Sequence, residues 1–391
     1  MNSVDTNNRL NKVFSYLVVY YWALIYIKQP SYVMLTLPIG LFIGYMLLIY
    51  IKNFSLSNRL SFILLFVLFS AYLSFIRLDF TSLISVSLLG LTMFFIDNFK
   101  LTINLKLLNT LFLTSVVISI PLYYSGYSYY GFIPGQGGFS NDAFLSGRVS
   151  IFPNVTSSIY FAFIVFFINY FFNKNSYQKI LISALSLYFI YFGISRTVLM
   201  GLAFILLFTW MFKIYPLKKS WFYQLFVPIL LLFVPILLVF FIEEIISFFL
   251  SLNSDFISTH FFRGHTSIDK ILDDIARTNI WSEHLRLFIE HPWGLSTEEI
   301  NLYVDPSLHL SDGGSESFLT RILMRYGFGA IFLYLFLLSL LMRALHEQNN
   351  YLYLFVYIFV FIGVTYGSFF AAYNMLFLVF IGSLNIKEEK N

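Results

Sequence analysis

The stretch GISRTVLMGLAFILLFTWMFK, residues 193–213, decides the fold. Between Arg196 and Lys213 no residue is charged and nearly all are apolar. Such a run, Thr197 to Phe212, reads as a helix in lipid, where every backbone polar group must be satisfied within the segment. A hydrocarbon core about 30 Å thick takes roughly 20 apolar residues to cross. Working outward, the same reading places further spans near Val13–Ile27, Tyr32–Ile51, Ser61–Leu78, Ser82–Ile96, Leu107–Tyr124, Ser157–Phe172 and Ile180–Ile194. Four more follow at Trp221–Ile242, Ile322–Met342, Tyr351–Thr365 and Phe369–Leu384. The expected fold class is therefore an all-α polytopic membrane protein of about twelve transmembrane helices, a single domain over 1–391.

Composition points the same way. The chain is 59% hydrophobic, 21% aromatic and 11% charged, against roughly a quarter charged in an ordinary soluble domain. Phe suits lipid contact, and Tyr and Trp the interfacial zone. The absence of cysteine leaves His, carboxylates, Arg, Lys and hydroxyls to carry any chemistry. The N-terminus, Met1 to Lys12, is polar, and the apolar stretch after it lacks a small-residue cleavage pattern, so it reads as a retained span.

Positive residues accumulate in cytoplasmic loops. With the N-terminus inside, 14 of the 24 Lys and Arg fall on the cytoplasmic side, whereas the short outer loops hold only Lys28, Arg77, Arg148 and Arg196. The net charge of +4 thus follows topology, and nucleic acid is not an expected partner. The remaining six, Arg263, Lys270, Arg277, Arg286, Arg321 and Arg325, lie in or beside one long outer segment. Two outer segments stand out, 125–156 and 251–316, and loops of this length are usually functional or disordered. The second carries Ile268, Ile271, Leu272, Ile275, Trp281, Leu285, Phe288 and Ile289 at near-helical spacing and stops at Pro292. It reads as an amphipathic helix lying on the membrane or the bundle.

Several outer residues are candidates for chemistry, each with a plainer alternative. Arg196 sits where the inward bias should exclude it unless an anion binds there; otherwise it snorkels to the head groups. Arg277 and Trp281 form Arg-x-x-x-Trp one helical turn apart, and the alternative is a solvated Arg. His309 can take a proton near neutral pH, as a hydroxyl nucleophile requires, or is a surface loop residue. Arg321 and Arg325 share one face at the start of a span, where lipid exposure would cost at least about 2.5 kcal/mol. They must face water, phosphate or a carboxylate, with Glu316 and Asp312 as nearby partners. Arg148 adds a further outer charge, or is solvated. The run Gly131-Phe132-Ile133-Pro134-Gly135-Gln136-Gly137-Gly138 lacks the Lys-Ser/Thr ending of a nucleotide P-loop. No His, Asp and Glu cluster has metal spacing.

Together these residues resemble the O-antigen polymerase and ligase superfamily. The resemblance rests on Ser195-Arg196 at the outer end of a central span, the Arg277/Trp281 helix ending at Pro292 and Gly294, the later His309, and the Tyr326-Gly327 step that opens a span. The chain departs from the ligases in one place: His309 is followed by Leu310, where those read His-Asn. The resemblance implies a GT-C-like bacterial inner-membrane glycosyltransferase, and the distribution of Lys and Arg over twelve spans places both termini in the cytoplasm. Its donor and acceptor would be undecaprenyl-diphosphate-linked oligosaccharides, with a chain-length regulator as a further partner. It implies metal-independent transfer without cofactor: Arg196 and Arg277 hold the diphosphate, His309 assists the acceptor hydroxyl, and Arg148, Arg321, Arg325 and Glu316 support them. The 125–156 segment favours a polymerase over a ligase. A transporter or flippase would need paired half-repeats and ionisable groups at mid-membrane, which the sequence lacks. A purely structural membrane protein accounts for everything except the outer Arg and His set.

Overall fold

The computed structural model describes residues 3–27, 58–79, 104–134, 148–214, 243–262, 265–274, 277–303 and 318–365, with isolated positions between them. The spans expected at 32–51, 82–96, 221–242 and 369–384 lie outside the described residues apart from such positions. Among the described residues all regular structure is helical. In chain order the helices are α1 (Ser3–Leu24), α2 (Asn58–Ile76), α3 (Leu105–Tyr124), α4 (Val155–Phe172), α5 (Ser176–Gly193) and α6 (Arg196–Ile214). Then come four helices of the long loop, α7 (Asp255–Phe262), α8 (Ile268–Asp274), α9 (Arg277–Glu290) and α10 (Thr297–Tyr303). Last are α11 (Phe318–Tyr326), a 3-10 turn (Gly327–Gly329), α12 (Ala330–His346) and α13 (Asn350–Thr365).

Four described helical stretches are long and apolar enough to cross a membrane: Leu105–Tyr124, Val155–Phe172, Arg196–Ile214 and Thr320–His346. Shorter apolar helices cover Ser15–Leu24, Ser61–Ile76 and Asn350–Ile362. An all-helical chain of this hydropathy fits a membrane protein.

Helix α4 sits at the centre because it is apolar all round, with fourteen of its eighteen residues buried, and a helix with no polar face must be surrounded. It packs against α3, α5 and α6. Asparagines set its ends. Asn154 accepts from the amides of Thr156 (2.8 Å) and Ser157 (3.2 Å), capping α4, and Asn175 caps α5 through Gln178 N. Where α3 and α4 meet, Asn109 and Asn169 exchange side-chain amide bonds (3.0 and 2.7 Å), and Asn173 donates to Asn169 Oδ1. With all three buried, the group acts as polar adhesive between apolar helices.

Helices α6 and α13 run antiparallel: the Phe204 ring meets Phe361 at 4.8 Å, Phe208 meets Tyr357 at 4.9 Å, and Phe212 meets Tyr353 at 6.4 Å. A tight connection, in which Asn349 N bonds Ala344 O (2.9 Å), folds α13 back on α12. The start of α12 therefore lies at the same end of the bundle as the start of α6. That near end also receives the end of α5, since Val149 N bonds Phe192 O (3.2 Å), and the end of α2, which packs along α12. All the charged candidates described below belong to it.

The long-loop helices are not an extension of the bundle core. Ile280, Leu287, Leu295, Ile300 and Met324 form a separate small cluster that joins α9, α10 and α11. A second small cluster, Ile246, Phe262 and Ile271, ties α7 and α8 to the helical stretch 243–251.

Candidate functional site

The near end is organised around a joint between α9 and α11. Helix α9 stops at Glu290, and the turn His291-Pro292-Trp293-Gly294 folds back with Gly294 N bonded to His291 O (2.8 Å). Gly294 has φ of +83° and Gly327 has φ of +55°, a region costly to side-chain-bearing residues. The two glycines touch backbone to backbone: a Cβ on Gly294 would overlap Arg325 O, and one on Gly327 would overlap Pro292 O. Phe328 N bonds Pro292 O (2.9 Å) and Leu295 N bonds Met324 O (3.1 Å), fastening the turn to the last long apolar stretch. The expected span Ile322–Met342 falls within the helical stretch Thr320–His346, which passes through a 3-10 segment at Gly327–Gly329 between α11 and α12. Phe69 from α2 stacks on Trp293 at 6.1 Å.

Just beyond that turn, Ser296 and Glu299 form a reciprocal capping box that starts α10. Ser296 N donates to Glu299 Oε2 (2.7 Å) and Glu299 N donates to Ser296 Oγ (3.2 Å). The Ser296 amide, joined by the charge of Arg77, holds the Glu299 carboxyl below its ordinary range. Arg286 binds Glu283 (2.7 Å), Glu290 (2.6 Å) and the Tyr303 carbonyl (3.3 Å), which links α9 to α10. Its guanidinium is held well above the usual arginine range, first by Glu283 and then by Glu290.

Between α9 and α11 lies a buried polar pair, His284 Nδ1 and Thr320 Oγ1, 2.9 Å apart. His284 is only 2% exposed. Burial pushes its pKa down to about 4, Arg321 adds to the depression, and Glu283 opposes it. The imidazole is neutral at physiological pH.

The sequence-predicted residues are distributed as follows. Arg196 is the first residue of α6 and follows Ile194, which caps α5 in the left-handed region at φ 54°. Arg148 donates from Nη2 to the Ile194 carbonyl (3.1 Å), so Arg148 and the Ser195-Arg196 turn are brought together. A helix start carries positive dipole charge, so an arginine there strengthens anion attraction. Arg277 opens the described part of α9. Arg321 and Arg325 are in α11, Arg321 close enough to depress His284 and Arg325 paired with Asp79 (3.3 Å). His309 and Glu316, with Asp312, lie outside the described residues.

The amphipathic face of the loop helix differs from the expected one. Ile289 is 75% exposed, whereas Ile280, Trp281, Glu283, His284 and Leu287 are buried. Polar residues occupy the inner face because each finds a partner there, Thr320 for His284 and Arg286 for Glu283. The expected helix is described over Ile268–Asp274 and Arg277–Glu290, with 275–276 outside the described residues. Sequence reading passed over Asp79, His284, Thr320 and the Ser296/Glu299 box; only the last carries a local signature, Ser-x-x-Glu.

With this geometry in place, residues 181–335 match the family model described as O-antigen ligase. That match supports the resemblance to the O-antigen polymerase and ligase superfamily. The matched stretch runs from α5 into α12 and takes in Arg196, α9, the glycine joint and both α11 arginines. Arg77, Asp79 and Arg148 come from outside it. Searches among curated proteins and among solved structures found no match.

Proposed function

We propose that this protein is a member of that superfamily and a membrane glycosyltransferase that polymerises undecaprenyl-diphosphate-linked oligosaccharide repeats into O-antigen or a related surface polysaccharide. The family match over 181–335 carries the reading. In it the protein spans the bacterial inner membrane about twelve times with a GT-C-like arrangement, both termini cytoplasmic, and the near end faces the periplasm. The donor diphosphate binds Arg196 and Arg277. Fixed guanidinium groups stabilise the charge that grows on the leaving diphosphate without a divalent cation. The acceptor hydroxyl attacks the anomeric carbon while His309 takes its proton. Arg148 supports the Arg196 turn by holding the Ile194 carbonyl, and supporting roles are proposed for Arg321, Arg325 and Glu316. A chain-length regulator is a further partner.

A second reading has a specific observation in its favour: the matching family is described as O-antigen ligase, which would transfer finished polymer to lipid A-core. Gel analysis of surface polysaccharide from a deletion strain separates the two. Core lipid bearing a single repeat unit is the polymerase outcome, and accumulated undecaprenyl-linked polymer is the ligase outcome.

A further inference from the structure

Helix α2 ends in a turn whose two charges reach the α9–α11 joint. Arg77 N bonds Leu73 O (3.1 Å), Leu78 N bonds Phe75 O (3.2 Å), and Asp79 N reaches back to Ser74 O (2.9 Å). This is the Schellman pattern, usually completed by glycine in the left-handed position. Here Leu78 occupies it at φ 55°, although a left-handed residue with a side chain is disfavoured. Backbone conformations of this kind persist where surrounding contacts over-determine them.

Those contacts are specific. Arg77 Nη2 donates to Gly294 O (2.6 Å) and Trp293 O (3.4 Å), and its Nε lies 3.9 Å from Glu299. Asp79 accepts from Arg325 Nη2 at 3.3 Å, with side-chain exposures of 11% and 15%. One short turn thus grips both halves of the joint, Arg77 the turn after α9 and Asp79 the helix α11. A mostly desolvated ion pair gains little over apolar packing in stability, but unlike apolar packing it fixes direction.

We infer that Arg77 and Asp79 are positioning residues, a bracket that holds α9 at a fixed angle to α11 and so sets the spacing between Arg277 on one and Arg321 on the other. The inference rests on the transferase reading above. Both bracket residues lie outside the stretch that matches the family, so in this reading the N-terminal part of the chain, like Arg148, contributes to a site built mainly from residues 181–335.

The test uses the full chain purified into lipid nanodiscs, with a polyprenyl-diphosphate-linked repeat unit as donor. The chain has no native cysteine, so Tyr72→Cys on α2 and Ile289→Cys on α9 give two unambiguous spin-label sites, both exposed. The expected result is a narrow inter-label distance distribution that broadens in Asp79→Asn and in Arg77→Gln. In the unlabelled variants the donor KM rises about tenfold, and the exchanged pair Asp79→Arg with Arg325→Asp returns it to within about threefold. Unchanged distances overturn the bracket whatever the activity. Broadened distances with an unaltered donor KM, or an exchanged pair as impaired as the single variants, overturn the positioning role. The parent reading is judged separately in the same preparation: no transfer by the parent protein defeats the transferase assignment, and full activity of Arg277→Ala defeats the donor-binding role of Arg277, while the distance result still decides the bracket.

Discussion

The bundle around α4 and the body around α9 sit side by side in one chain and are held together by opposite means. In the first, more than fifty buried apolar residues form one continuous cluster, and a few side-chain bonds, the asparagine group and Trp22 to Ser115 among them, supply polar adhesion. The second has five apolar core residues and depends on ion pairs, a capping box, a buried histidine and two glycines in contact. A large apolar core tolerates change at most positions, because volume and patterning matter more than identity. A small polar body cannot, since each interaction is directional and a buried group that loses its partner bears the full desolvation cost. Residue identity should therefore matter most in the α9 body, and substitutions can test that contrast.

The largest effect is expected at the glycine joint. Gly327→Ala must accept a left-handed backbone, costing on the order of 1–2 kcal/mol, and must also push Pro292 O and the Gly294 amide away. Polymer formation should fall at least a hundredfold while α-helical circular dichroism is retained. Gly201→Ala in α6, whose added methyl meets only side chains, Phe163 at 3.3 Å and Ile358 at 3.6 Å, should be mild by comparison. Equal effects at the two glycines would erase the contrast.

Next is pH. His284 has a folded pKa of about 4 against the ordinary 6.5, so between those values the unfolded chain binds more protons than the folded one. Stability of the α9 body should be intact above pH 6.5 and decline as pH falls towards 4, by roughly 3 kcal/mol in all at 1.36 kcal/mol per pKa unit. His284→Gln should remove that slope. Hydrogen exchange at α9 amides followed against pH measures it, and a flat profile in the parent protein would contradict the burial argument.

In the bundle, Asn169→Leu strands Asn109 and frees Asn173. Interhelical side-chain bonds in membranes average about 0.6 kcal/mol with a ceiling near 1.7, so detergent melting should drop by only a few degrees and activity should be kept. The smallest effect is expected at Glu290→Gln. Its ion pair with Arg286 lies on an exposed face, such pairs contribute little, and Arg286 keeps its bond to the buried Glu283. Melting and turnover should both stay near the parent values.

Why sequence reading succeeded in one region and fell short in the other follows from the same contrast. In lipid, apolarity over a helical length is itself the folding signal, so α3, α4, α5, α6 and α13 were legible to within a few residues. The face of α9 was not, because periodicity counts apolar residues only. It favoured Ile289, which is exposed, and ignored His284 and Glu283, whose partners Thr320 and Arg286 make burial acceptable. Gly294 was visible as a turn marker and Gly327 as the opening of a span, but nothing local says that they touch. The Asp79–Arg325 pair spans 246 residues of sequence, a separation no spacing rule bridges. Arg196 and Arg148 were each visible as misplaced positive charges, and the structure adds that the second steadies the turn bearing the first.

The central claim is that arginines at the near end drive transfer from a polyprenyl-diphosphate donor. Purified protein in liposomes, supplied with that donor and with EDTA to remove divalent cations, tests it most directly. The account predicts that the parent protein extends the oligosaccharide, that Arg196→Ala and Arg277→Ala abolish extension at normal protein levels, and that Arg277→Lys keeps part of it, because lysine lacks the bidentate fork. Undiminished product from either alanine variant, or extension that stops when EDTA is added, would contradict it.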